Sequence, residues 1–184
     1  MYQDSSSSKK RTRQTLINSI LFQVMWFITI YSASQKHDTL ATVSPLALGI
    51  YYLLQSHPTC VRKERLLWAV MGLGFGIVSE SCFWYLQLFT PVSEPLLWIP
   101  FWLLGLWIAL FTMMPLELKS LLQRPWLASL LGFISAPFSY ISGAKLGAMV
   151  MNKTILSTCI AIAVLWSIAL YLASIIYQRL NLKY

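Results

Sequence analysis

Histidine, cysteine and acidic residues are all scarce in this 184-residue chain, with two, three and six of them respectively. Each scarcity excludes some chemistry. The two histidines, His37 and His57, both fall between apolar stretches. That removes the multi-histidine iron site of a membrane desaturase, the His-Glu-x-x-His zinc motif and a serine–histidine pair at membrane depth. Cys60, Cys82 and Cys159 are odd in number and lack metal-ligand spacing, so they imply neither a disulfide framework nor a metal site. No glycine-rich phosphate loop occurs, and nothing in the sequence asks for a cofactor. Charged residues as a whole make up only 11 % of the chain, against about 25 % in soluble domains.

Apolar residues fill the space that charge leaves, at 57 % of the chain. They gather into six stretches, each about the length a bilayer requires, since a hydrocarbon core of about 30 Å needs roughly 20 mostly apolar residues. The expected spans are 16–34, 40–55, 66–89, 96–116, 126–151 and 155–177. The fold class is therefore all-α: a polytopic membrane protein with six transmembrane helices in one bundle, covering 16–178. The polar opening, 1–15, reads as a disordered basic cytosolic tail, and 179–184 as a second cytosolic tail. Span one follows basic residues, and its apolar run ends in the small residues Ser32-Ala33-Ser34, as a signal peptide would. Its apolar run is longer than an h-region of about 7–15 residues, so it is read as a retained helix.

The net charge of +8 does not indicate a nucleic-acid partner, because the basic residues lie at the ends and in short loops rather than on one folded face. Counted along alternate loops, eleven Lys and Arg fall on one side: four in the opening tail, then Arg62, Lys63, Arg65, Lys119, Arg124, Arg179 and Lys183. Only Lys36, Lys145 and Lys153 fall on the other. The positive-inside rule then places both termini in the cytosol after an even number of crossings. Tyr51, Tyr52, Trp68, Trp126 and Tyr177 on the inner side, with Tyr31 and Trp98 on the outer, read as interfacial anchors.

One charge stands clearly at mid-membrane. Glu80 follows a glycine-rich run in span three, and Gly72, Gly76 and Glu80 recur at i, i+4 and i+8 on one helix face. Small residues at that spacing admit a neighbouring helix closely, and intramembrane acids are costly and usually functional. Gln87 extends the same polar stripe. Glu80 can serve as a structural hydrogen-bonding group with Gln23 or Ser19 of span one, as a ligand anchor, or as a proton carrier. Ser81 and Tyr140 are further candidates for a polar centre.

Span five is interrupted by Pro137 and then carries Ser139, Gly143 and Gly147, a second small-residue ridge. Lys145 is the obvious cationic partner for Glu80. It lies two residues from Gly143, however, about 200° around an ideal helix from that ridge. If the ridge faces span three, Lys145 either turns away or snorkels to the outer surface.

The segments Leu21-Phe22-Gln23-Val24-Met25-Trp26-Phe27, Glu80-Ser81, the Trp-rich span four and Ala136-Pro137-Phe138-Ser139-Tyr140…Gly143-Ala144-Lys145-Leu146-Gly147-Ala148 together resemble a bacterial inner-membrane family. It is catalogued as domain of unknown function 2878. The resemblance implies an acid at position 80 and a basic residue at position 145. It also implies an Asn-His pair near the end of span four, where this chain has Leu116-Glu117. It carries no established activity; the family's proximity to lipid-modifying genes implies a lipid-related role. The functional expectation is a protein that binds or moves a small amphiphile or lipid around Glu80, with membrane lipids as its surroundings. The alternative is a lipid-modifying enzyme, or an accessory subunit with a membrane-enzyme partner.

Overall fold

The computed structural model describes residues 5–55, 62–93 and 99–181, with side chains from residue 12 onward except at Leu116 and Asn181. His57, Cys60, Trp98 and Lys183 lie outside the described residues. Among the described residues, the regular structure is helical apart from one short ribbon. Its elements run α1 (Ser5–Ser34), α2 (Asp38–Leu54), α3 (Arg62–Tyr85), β1 (Phe89–Pro91), α4 (Phe101–Glu117), α5 (Lys119–Leu122), α6 (Pro125–Lys145), β2 (Met149–Met151) and α7 (Ile155–Asn181).

Four stretches are long and apolar enough to cross a membrane: Thr12–Ser34, Arg62–Tyr85, Pro125–Lys145 and Ile155–Leu180. α2 and α4 are shorter apolar helices of 17 residues each, about 25 Å long at 1.5 Å per residue. On α3 the buried positions are Arg65, Trp68, Ala69, Gly72, Gly76, Ser79, Glu80 and Phe83, while Leu66, Leu67, Val70, Leu73, Ile77 and Val78 are exposed. The polar and small residues point inward and the large aliphatic ones outward. This arrangement suits a hydrocarbon solvent, and the chain is a membrane protein.

α4 occupies the centre. From Trp102 to Pro115 none of its residues is exposed, as expected of a helix that is apolar all round. It packs on α1, α2 and α3, whereas α6 and α7 form a separate hairpin. The hairpin is tight because Gly132 lies under the Trp166 carbonyl oxygen, 2.7 Å from where a Cβ would stand. Ser129 and Ser167 are also hydrogen-bonded across it at 2.6 Å. It docks on the α1–α4 group through α3–α7 contacts at one end and the ribbon at the other.

The ribbon accounts for the clearest departures from the expected spans. Span three was expected to reach Phe89 and span five Met151, but these residues pair as antiparallel strands in the register Phe89↔Met151, Thr90↔Val150 and Pro91↔Met149. Both helices end first in a six-to-one turn. The amide of Leu88 donates to the Phe83 carbonyl, and that of Ala148 to the Gly143 carbonyl. The residue inside each turn is left-handed, Gln87 at φ 52° and Gly147 at φ 86°. Gly147 therefore terminates α6 instead of continuing a helical ridge, and Gln87 leaves the α3 stripe.

Other expectations also change. α1 begins at Ser5, within the segment read as a disordered tail, and α7 extends to Asn181, past the expected end at 177. α6 runs through Pro137 without interruption. Tyr52, Trp68 and Tyr177 are buried in the bundle, not placed as interfacial anchors, whereas Tyr51, Trp126 and Tyr31 are exposed.

Candidate functional site

Glu80 is 3 % exposed. Gly72 and Gly76 bring its face of α3 against α4. A Cβ on Gly72 would stand 2.7 Å from both Phe111 Cβ and the Trp107 carbonyl oxygen, and one on Gly76 would stand 2.9 Å from Trp107 Cγ. The glycine face thus packs on span four, not on spans one or five. The close approach places the Trp107 indole beside the carboxyl. Its Nε1–H donates to Glu80 Oε1 at 2.9 Å, and the Tyr140 hydroxyl of α6 donates to the same oxygen. Glu80 Oε2 is buried without a hydrogen-bond partner among the described residues.

The expected partners from span one are not the ones used. Lys145 does not reach Glu80 either. Tyr140 and Lys145 are five residues apart, about 140° around a helix, and with Tyr140 turned inward Lys145 is exposed at the end of α6. Ser81 is half-buried on α3, and Gln87 is exposed beyond that helix. Gly143 lies against Met149 and Ile30, near the base of the ribbon.

Trp107 and Tyr140 form the boundary between the carboxyl and a cavity of about 260 Å³. The cavity lies along the seam between the α1–α4 group and the α6–α7 hairpin. Phe22, Gln23, Trp26 and Ile30 line it from α1, Leu103, Leu106 and Leu110 from α4, Ser135, Ala136 and Ser139 from α6, and Trp166 from α7. Trp107 and Trp166 stack across the seam with ring centroids 3.9 Å apart. A wider groove of about 420 Å³ adjoins it between α1 and α6, sharing Phe22, Gln23, Trp26 and Ser139 and reaching Ser142 and Lys145. Gln23, Tyr140 and Lys145 are therefore brought to one continuous hollow, while Glu80 stands behind its wall.

A second polar cluster, absent from the sequence reading, closes the opposite end of the bundle from the ribbon. Asn18, wholly buried, donates to Gln55 Oε1 at 3.1 Å and to Glu117 Oε1, and its carbonyl accepts the Tyr52 hydroxyl at 2.7 Å. Arg65, 2 % exposed, donates through one guanidinium nitrogen to the carbonyls of Tyr52 (2.6 Å) and Gln55. These carbonyls belong to the last turn of α2, whose oxygens have no helical partner. Arg65 caps that helix instead of standing in a loop. The available signal was its phase, two turns before Gly72 on the inward face of α3.

The family model described as Protein of unknown function (DUF2878) matches residues 15–172. No curated protein and no solved structure matches the chain.

Proposed function

Since the chain belongs to the DUF2878 family, whose description assigns no activity, we propose from the site itself that it binds or moves a small amphiphile or lipid. The observation that carries this reading is the aromatic cavity between α1 and α6, open toward the side of the bundle and walled by two donors fixed on a buried acid. Its lining is mainly apolar, with Gln23, Ser135, Ser139 and Tyr140 as isolated polar points. That composition matches a ligand with an apolar body and few polar groups. Glu80 acts through Trp107 and Tyr140, holding both in place, and is a positioning residue.

The surroundings we infer are a bacterial inner membrane crossed six times, with both termini cytosolic. The eleven-to-three split of Lys and Arg supports this orientation. The two 17-residue helices fall at the short end of the spanning range of about 17–25 residues.

The test is retention of an added single-chain amphiphile by the purified protein, read by native mass spectrometry. Ala136 lines the cavity and is 4 % exposed. Ala136→Phe should abolish retention while the helical circular dichroism stays intact. Undiminished retention by that variant refutes the reading.

The second reading, a lipid-modifying enzyme or its accessory subunit, draws on the Tyr140–Glu80 contact. A tyrosine hydroxyl at the cavity wall with a carboxyl behind it can hold or move a proton. A lipid species lost on deletion and restored by wild type but not by Tyr140→Phe would favour it.

A further inference from the structure

Lys145 takes no part in the Glu80 cluster, yet it borders two hollows. On one flank of α6 is the α1/α6 groove, which continues into the inner cavity. On the other, between α6 and α7, is a separate hollow of about 220 Å³ lined by Ile141, Met151, Ile155 and Ile162. Thr158 lines the second hollow at 1 % exposure, and its Oγ1 is buried without a hydrogen-bond partner among the described residues. Two largely apolar clefts thus straddle the last turn of α6 and meet at a single ammonium group.

We propose that this is the site of one anionic two-chain phospholipid. The phosphate sits at Lys145, one acyl chain follows the α1/α6 groove into the cavity, and the other lies in the α6/α7 hollow. The inference rests on the amphiphile reading above and specifies its ligand. A lysine is a point charge suited to phosphate, and its stem can lie along apolar surface while the head stays wet. One rim cation serving two apolar clefts matches a molecule with one anionic head and two tails. A single-chain amphiphile leaves one cleft empty. A free phosphate uses neither.

The test is native mass spectrometry of the full chain in detergent, titrated with phosphatidylglycerol, phosphatidylcholine of identical chains, lyso-phosphatidylglycerol and inorganic phosphate. Phosphatidylglycerol should bind at least about fivefold more tightly than phosphatidylcholine, the scale of one interfacial lysine. Lys145→Ala should remove that preference, Lys145→Arg should keep it, and Lys153→Ala should leave it unchanged. Cys159→Trp, which fills the α6/α7 hollow, should lower phosphatidylglycerol to the level of its lyso form. Equal binding of the two diacyl lipids, or a preference that survives Lys145→Ala, overturns the headgroup assignment. In that case the amphiphile reading still stands if Ala136→Phe blocks binding of both. Equal binding of the lyso and diacyl forms overturns the two-chain assignment, and inorganic phosphate that competes fully overturns the lipid. No lipid retained by the wild type at all sinks both readings.

Discussion

Glu80 shows how far a single residue can be read before its neighbours are known. Its inward direction follows from Gly72 and Gly76, because helix periodicity is local. Its partners do not follow, because Trp107 and Tyr140 belong to helices 27 and 60 positions away, and nothing in the chain fixes their rotation. Removing the carboxyl strands both donors, so Glu80→Ala should lower stability by about 1–3 kcal/mol, with Glu80→Gln losing less. Unfolding in mixed micelles measures both, and an unchanged Glu80→Ala variant would refute the geometry. Arg65 was misread for the opposite reason. A basic residue in a short connection contributes to the charge count, which hides its turn into the core. Arg65→Ala uncaps α2 and should also cost about 1–3 kcal/mol. Gln87 holds φ 52°, where a Cβ is disfavoured by about 1–2 kcal/mol. Gln87→Gly should therefore raise the unfolding midpoint, and a lowered one would contradict the left-handed turn.

At the scale of elements, hydropathy locates four long and two shorter apolar helices and some of their ends to within a residue, but it overruns the ends of α3 and α6 by several residues. Apolar content continues through Phe89 and through Met149–Met151, so composition alone extends spans three and five across the ribbon. A stop signal was present at Gly147, but its spacing from Ser139 and Gly143 also fitted a helical ridge. At Gln87 the left-handed residue is not glycine, and composition carries no comparable signal. The contact of α3 with α4 can be tested with a matched pair. Gly72→Ala drives a Cβ into Phe111 and the Trp107 backbone and should cost about 1–3 kcal/mol. Gly74 has nothing within 4 Å of such a Cβ, so Gly74→Ala should be neutral or gain up to about 1 kcal/mol in helix propensity. If the two variants unfold alike, the packing face is wrong.

For the whole molecule, the charge asymmetry predicts that residues at the ribbon end and the Arg65 end meet opposite compartments. A cysteine at Lys153 should react with an impermeant maleimide added outside intact cells. A cysteine at Arg124 should react only after the cells are opened. Labelling of both from outside would refute the six-crossing arrangement. The all-helical class and the long apolar helices were legible in the sequence because they depend on composition over many residues. The cavity was not, because it arises where two groups of helices meet incompletely.

That incomplete meeting has a mechanical consequence. The α6–α7 hairpin is fastened to the rest at both ends: by the β1–β2 ladder at one, and at the other by Ser174, whose hydroxyl donates to the Leu122 carbonyl at 2.5 Å. α1 is fastened differently, chiefly to α2 and α4, through Asn18 near its middle and a Thr29–Ser44 contact of 3.2 Å further along. The α1 wall of the hollow is thus held from the α2–α4 side, and it meets the hairpin through Ile30 and Ala33, which share a buried cluster with Ala136, Tyr140, Ala148 and Met149. Ser34 Cβ lies 3.6 Å from where a Cβ on Gly147 would stand, so a disulfide there would tie α1 directly to the hairpin, against the strain of the left-handed backbone that Gly147 holds at φ 86°.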